Sequence, residues 1–539
     1  MSRLTTRRTF LLQGVSLTQL PATLAAIPSN GLTLGSGKPG SGSATEAADI
    51  PSSDATIDID TSVAKLVHPG FSGVNTDLNI PIEYWDYNFN SLAAQIDYGW
   101  LRFPAGTSSD VYDWQTGQVP SDWINEFSSH GSNPFNPDLS SLVAGRGGAR
   151  LIDAAHRAKQ LGAPLIICLN GFTDTPESIG RMAAYVRDHR IRVAAWELCN
   201  EPYLFPGYFP TATDYLDCMR PYRDAIKDVD CDAIISVFVS DQGKSTASTD
   251  PWNLAIAAYP HKYWDAISFH HYPAQSGPNI PFAQWMKDEC AVLVTQTTDI
   301  IDNLTAMIGP PGVKFLITEF DSTSPNNAKG NQSITDASLW GGIYAAEFIM
   351  RMATEASVLH VGPHEIADIS GVSIDDSKLG AIKSAVDAAA AAGKPLDTMS
   401  MDFGFYITAQ AYGLAILNGV VNHAMRSNRT TVTGGETVPA SGMDPIPALY
   451  ATAFTNEHDG MSLVITNKSI TPHTVTIRVD GLAVAGPLPQ RFVCATDPSL
   501  MNSQGTKDIA IQTATSENPI TVPPYSVLRA DLTGYCVPG

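Results

Sequence analysis

The chain has 539 residues, too many for one ordinary core, and its 44% hydrophobic and 16% charged content excludes a disordered or fibrous protein while allowing a large barrel plus a smaller domain. With 33 basic against 54 acidic residues the formal charge is −21, which disfavours a nucleic-acid partner or a strongly anionic polymer and suits a well-solvated acidic surface.

Residues 1–26 carry Arg7 and Arg8, then Phe10, then a short apolar run ending in small residues, an order that resembles a bacterial twin-arginine export signal. Gln13, Gln19 and Pro21 interrupt that run and make it a poor membrane span. Export to the periplasm or the extracellular space is therefore expected, and no other stretch is long and apolar enough to cross a bilayer. Residues 27–53, rich in Gly, Ser and Pro without periodicity, read as a flexible linker. Order is expected from residue 54, where a strand over 54–68 ("ATIDIDTS" at its start) precedes everything else and is expected to join the C-terminal domain.

Eight apolar runs of strand length follow: "FSGVN" (71–75), "WLRFP" (100–104), "PLIICLN" (164–170), "VAAWELCNE" (193–201), "AIISVFVS" (233–240), "WDAISFHHY" (264–272), "KFLITEF" (314–320) and "ASVLHVG" (356–362). Near-continuous apolar runs mark parallel strands buried on both faces. With helical patterns such as "LIDAAHRAKQLGA" between them they predict a (β/α)8 TIM barrel over 69–424. The stretch 113–148, with its aromatic and glycine residues, reads as an insertion over one mouth of the barrel, and 376–395 as a helix ending at Gly393 and Pro395. From 425 to 539 short β-branched runs separated by Asn, Gly, Pro and Asp predict an antiparallel β-sandwich.

The seven cysteines are an odd number; Cys168 and Cys199 sit in apolar runs as small core residues, and the spacing of Cys218 and Cys231 permits a bridge without requiring one. No Cys/His cluster has metal-ligand spacing, His270 and His271 lack a third ligand, and neither metal nor cofactor is expected.

Several barrel runs end on polar groups: Asn75, Asn170, Asn200 with Glu201, Ser240, His270 with Tyr272, and Glu319. Strand ends at one mouth are where such barrels hold their chemistry. Glu201 and Glu319 close the fourth and seventh runs, on opposite sides of that mouth, and two facing carboxylates suit cleavage of a glycosidic bond in a carbohydrate substrate. Glu197 is read as pointing away from the mouth, and Trp340 as either stacking on a sugar face or packing in the core.

"WELCNEPYLF" resembles the Asn-Glu-Pro segment of clan A retaining glycoside hydrolases and "FLITEF" their nucleophile strand, while "ISFHHYP" and "LIICLN" are most similar to family 79, the heparanase and β-glucuronidase family. The resemblance implies a barrel paired with a β-sandwich that takes in N-terminal strands. It implies Glu201 as general acid/base, Glu319 as nucleophile, Asn200 as the amide on the sugar 2-hydroxyl, Arg102 as the cation beside the nucleophile, and Tyr272 or His270 as its hydrogen-bond partner. Asn170 and Asn75 would line the sugar pocket. One departure is Ala105, where relatives often carry a second glycine. A β-D-glucuronide is the substrate this implies; an arabinofuranosidase, xylosidase or galactosidase of the same clan, or a carbohydrate-binding protein without turnover, are the alternatives.

Overall fold

The computed structural model describes residues 54–76, 78, 86–130, 149–240, 250–272, 281–308, 312–321, 337–367, 369–378, 403–503 and 507–536, with scattered positions between 381 and 392. The expected leader (1–26) and linker (27–53), the second half of the 113–148 insertion and most of the 376–395 helix lie outside the described residues.

The first strand, β1 (Ala55–Leu66), belongs to the second domain. The barrel follows as eight strands: β2 (Val74–Asn75), β3 (Leu101–Phe103), β4 (Leu165–Cys168), β5 (Val193–Glu197), β6 (Ile235–Phe238), β7 (Ala266–His271), β8 (Lys314–Phe320) and β9 (Val358–Pro363). They pair in sequence order, all parallel. The ring is closed by a parallel bridge between Ser72 and Val361, with Gly73 N–H donating to Val361 O at 3.0 Å and Val361 N–H to Phe71 O at 2.9 Å. Each of the eight apolar runs thus holds one barrel strand. Nearly every strand residue is buried, as expected of a parallel sheet with side chains inside and helices outside. The fully buried Trp100 fills the barrel interior against Gly73 and Gly362, where any Cβ would overlap its ring.

Local signals fix the helices around this ring. Pro176 and Pro251 start helices at the position where the missing N–H costs nothing, and Thr211 with Asp214 forms a capping box ahead of Ala212–Lys227. Helix Leu339–Met352 is buried on nearly every side because it lies between barrel and second domain. It crosses helix Ala409–Val421 closely enough that a Cβ on Gly342 or Gly413 would press on the opposing backbone at 3.0–3.1 Å.

The second domain is one continuous, mainly antiparallel sheet folded over its own apolar core. β1 lies inside it, antiparallel to Ala424–Gly434 and parallel to His473–Val479. The alternating burial of "ATIDID" puts Ala55, Ile57 and Ile59 into the core with Leu463, Ile465, Ile477 and Leu528. From Ala424–Gly434 the sheet continues through Leu449–Asn456, Gly460–Asn467, Ser526–Cys536 and Leu488–Cys494 to Gln512–Ser516. The structure therefore has the expected architecture, a TIM barrel with a C-terminal β-sandwich.

A buried ion cluster clasps the two domains. Glu347, on the helix between them, accepts from Lys468 Nζ at 2.6 Å, Arg351 at 2.7 Å and Thr466 Oγ1 at 2.8 Å. Burial alone would raise the Glu347 carboxyl; the two cations more than offset it and hold it below its ordinary value. Lys468→Met should cost about 3 kcal/mol in denaturant unfolding, because it leaves a buried carboxylate one cation short; a loss under about 0.5 kcal/mol would show that the clasp is weak.

Among the described residues no helix is long and apolar enough to cross a membrane, and no group of three metal-ligating side chains occurs. Cys218 and Cys231 are both exposed free thiols, so the bridge their spacing permits is not formed.

Candidate active site

β5 ends at Glu197 and the chain turns through Leu198, Cys199, Asn200 and Glu201 into a short turn opened by Pro202. Cys199 (φ 74°) and Glu201 (φ 45°) both adopt the left-handed region without being glycine. Such conformations cost on the order of 1–3 kcal/mol each and persist only where surrounding contacts dictate them. Here those contacts are visible. Asn200 N–H donates to Asp110 Oδ1 at 3.0 Å, and Asn200 Oδ1 accepts from Arg102 Nη2 at 2.9 Å.

Arg102, fully buried on β3, is the hub. Its Nε donates to Glu197 at 2.5 Å, Nη1 to Glu319 at 2.7 Å and to Asn75 Oδ1 at 3.1 Å, and Nη2 to Asn200 and to Cys168 Sγ at 3.5 Å. All five guanidinium N–H groups thus have an acceptor. Glu197 faces into the barrel beneath the mouth, where its second oxygen accepts from Ser268 and Thr318 hydroxyls, each at 2.7 Å. It serves structure as expected, but as the counterion under the site.

Glu319 stands near the end of β8. Tyr272 O–H donates to its Oε2 at 2.6 Å, so of the two candidates, Tyr272 and His270, the phenol just past β7 makes the hydrogen bond. A register shift helps both neighbours reach inward: Phe269 pairs with Ile317 and the next residue, His270, with Glu319, leaving Thr318 as an extra residue in β8. Such a bulge re-aims side chains, and Thr318 and Glu319 both reach the Arg102–Glu197 centre although they are adjacent in sequence.

His270 lies between the two glutamates. Its Nδ1 is 3.1 Å from Glu201 Oε1 and 3.6 Å from Glu319 Oε2. Those two oxygens can therefore be no farther apart than the two contacts laid end to end. Glu201 also accepts from Tyr203 O–H at 2.7 Å.

Burial would raise the Glu319 carboxyl, but its interactions with His270, His364 and Arg102 and with the Tyr272 hydroxyl outweigh it, and the proton affinity falls well below the usual carboxylate range. Burial and the Glu319 charge push the Tyr272 phenol up, so it stays a neutral donor. Asp110, buried with only partial help from the Asn200 N–H and Arg102, is pushed well above the ordinary range.

The structure corrects two other expectations and decides a third, Trp340, between its two readings. Asn75 does not face a sugar pocket: Nδ2 is held by Thr318 O at 2.5 Å, and Oδ1 by Arg102. Asn170 is used up in its own turn, accepting from the backbone of Phe172 and Thr173 and donating to Thr173 Oγ1 at 2.8 Å. Trp340 is fully buried on helix Leu339–Met352 and is a core residue, with no face for a sugar. Ala105 has an ordinary extended backbone (φ −105°), so nothing there requires glycine; Gly106 next to it takes the left-handed turn (φ 64°). The Asn200 side-chain amide is different: Nδ2 is buried, makes no hydrogen bond among the described residues, and belongs to the residue before Glu201.

Sequence reasoning missed Asp110, Tyr203, Ser268 and Thr318. Tyr203, two residues after Glu201 in the same turn, was legible by proximity; Asp110 carries no local sign.

No family model matches the chain, and no curated protein matches it in sequence. Solved structures do. A family 51 arabinofuranosidase from Xanthomonas axonopodis pv. citri superposes with a TM-score of 0.67 at 14% identity, over 89% of this chain and 100% of that one. A family 51 α-L-arabinofuranosidase from Thermotoga petrophila gives 0.64 at 17%, over 88% and 99%. A family 44 xyloglucanase from Paenibacillus polymyxa gives 0.55 at 13%, over 89% and 100%. At such identities the likeness speaks for the fold alone: the chain shares with these structures the fold of an eight-stranded barrel carrying a β-sandwich.

Proposed function

We propose that the protein is a retaining glycoside hydrolase acting by double displacement. The observation that carries this reading is His270 Nδ1 standing 3.1 Å from Glu201 and 3.6 Å from Glu319. That keeps those two oxygens within about 6.7 Å of each other, which admits the roughly 5–5.5 Å that goes with retention and excludes all but the lowest edge of the roughly 6.5–9.5 Å that leaves room for an inverting water. The environments are also unequal. Glu319 is held ionised by His270, His364, Arg102 and the Tyr272 hydroxyl, as a nucleophile must be, while Glu201 touches no guanidinium or lysine among the described residues.

Glu319 attacks the anomeric carbon as Glu201 gives its proton to the departing oxygen; Glu201 then takes a proton from the water that releases the sugar. The unpartnered Asn200 amide is placed to donate to the sugar beside the reacting carbon. Glu201→Ala should lose about 10²- to 10⁴-fold with an unactivated glycoside, and azide should restore turnover of an activated one as a glycosyl azide of retained configuration. An unimpaired variant would end the assignment.

For the sugar, the motif resemblance supports a β-D-glucuronide. The family 51 neighbours, solved as arabinofuranosidases, support an α-L-arabinofuranoside as a second reading, and Arg102 has no donor left for a uronate carboxylate. A panel of nitrophenyl glycosides separates them by rate. Export through the twin-arginine-like leader fits a substrate met outside the cytoplasm.

A further inference from the structure

Glu201 has one oxygen engaged and one open. Oε1 accepts from Tyr203 O–H at 2.7 Å and has His270 Nδ1 at 3.1 Å, whereas Oε2 accepts no hydrogen bond among the described residues. The side chain is 13% exposed, whereas that of Arg102 beneath it is fully buried. Tyr203 is held where it is needed: it follows Pro202 in the turn closed by Leu204 N–H on Glu201 O at 2.9 Å, and its ring meets Trp252 edge-on at 6.3 Å.

We propose that Tyr203 is a positioning residue for proton delivery, its hydroxyl on Oε1 keeping the transferable proton of Glu201 on Oε2. The inference rests on the acid/base reading of Glu201. A proton on Oε1 would point at a hydroxyl already donating there and at the His270 ring, so the neutral acid carries it on Oε2. As the glycosidic C–O bond breaks, that proton passes to the leaving oxygen, the bond pair stays with that oxygen, and Glu319 forms the ester to the anomeric carbon. Glu201 is left as a carboxylate. Charge then reaches Oε1, and a neutral hydrogen bond becomes a charge-assisted one, roughly twice as strong. Tyr203 therefore favours the proton's departure. In the second half-reaction Glu201 begins as the carboxylate, and the same contact slightly restrains it as a base. The two halves respond to Tyr203 in opposite senses, which no purely structural role would produce.

Tyr203→Phe keeps the ring and its packing on Trp252 and removes only the hydroxyl. The measurement is kcat/KM over a series of aryl glycosides of rising phenol pKa plus one alkyl glycoside, all of the sugar found in the nitrophenyl panel. The expected result is a loss about tenfold larger on the alkyl glycoside than on the dinitrophenyl one, together with a steeper leaving-group dependence. Hydrolysis limited by release of the glycosyl-enzyme should be no slower than in the wild type. An equal loss across the series, or no loss anywhere, overturns the proposal. Glu201→Ala run alongside keeps the two claims apart: if it too lacks leaving-group dependence, the acid/base reading itself fails; if it shows that dependence and Tyr203→Phe does not, only the role of Tyr203 fails.

Discussion

Glu319→Ala should abolish turnover, with kcat falling on the order of 10⁶-fold, as when a covalent nucleophile is removed from an acyl-transfer enzyme. The fold should survive. Arg102 keeps Glu197 as a counterion at 2.5 Å and Asn75 and Asn200 as acceptors, so no buried charge is stranded. Substrate should still bind, measurable by calorimetry, and azide should enter the vacated space to give a glycosyl azide of inverted configuration. That product, opposite in hand to the one from Glu201→Ala, ties each glutamate to its own half-reaction. Activity within a hundredfold of wild type would place the nucleophile elsewhere.

Arg102→Met should damage both stability and activity. Removing the guanidinium leaves Glu197 and Glu319 facing each other in a dry barrel, and stranding one buried partner of an ion pair typically costs 3–5 kcal/mol. Lysine is no substitute, since one ammonium has three donors where Arg102 uses five. Pairing the change with Glu197→Gln should recover a good part of the stability, because it removes one stranded charge. It should recover none of the activity, since Glu319 would still lack the guanidinium contact at 2.7 Å that holds its Oε1 in place. Unfolding midpoints and kcat/KM on the three variants test this. Joint recovery of both would mean that Arg102 acts only through the fold.

The parts of the site that the sequence announced are those where a polar residue interrupts an apolar run. Glu201, Glu319 and Tyr272 do so at or just past strand ends, Arg102 does so inside β3 and was marked by the motif resemblance, and the structure brings all four to one place. Asn75 and Asn170 interrupt their runs in the same way, yet one braces Arg102 and the other closes a turn; sequence marks a strand end but not what its side chain meets. Trp340 stayed open between core and cleft for a related reason: an aromatic residue on a helix apolar all round carries no periodicity to tell the two apart. Thr318 was hidden by the bulge in β8, which overrides the alternation a strand would otherwise obey. Asp110 and Ser268 were hidden by distance along the chain, since their partners lie 90 and 71 residues away.

The placement of β1 bears on how this chain is made. Ala55 pairs with Gly434 and Val475, so β1 must wait, unmated, until most of the polypeptide has been synthesised. Contacts so remote are slow to form, and a strand left waiting is open to mispairing with other copies. A ribosome-stalled or truncated chain ending before residue 424 should therefore be prone to aggregate, and the sandwich cannot be treated as a detachable module: cut away from residues 55–66, it loses a strand from its middle.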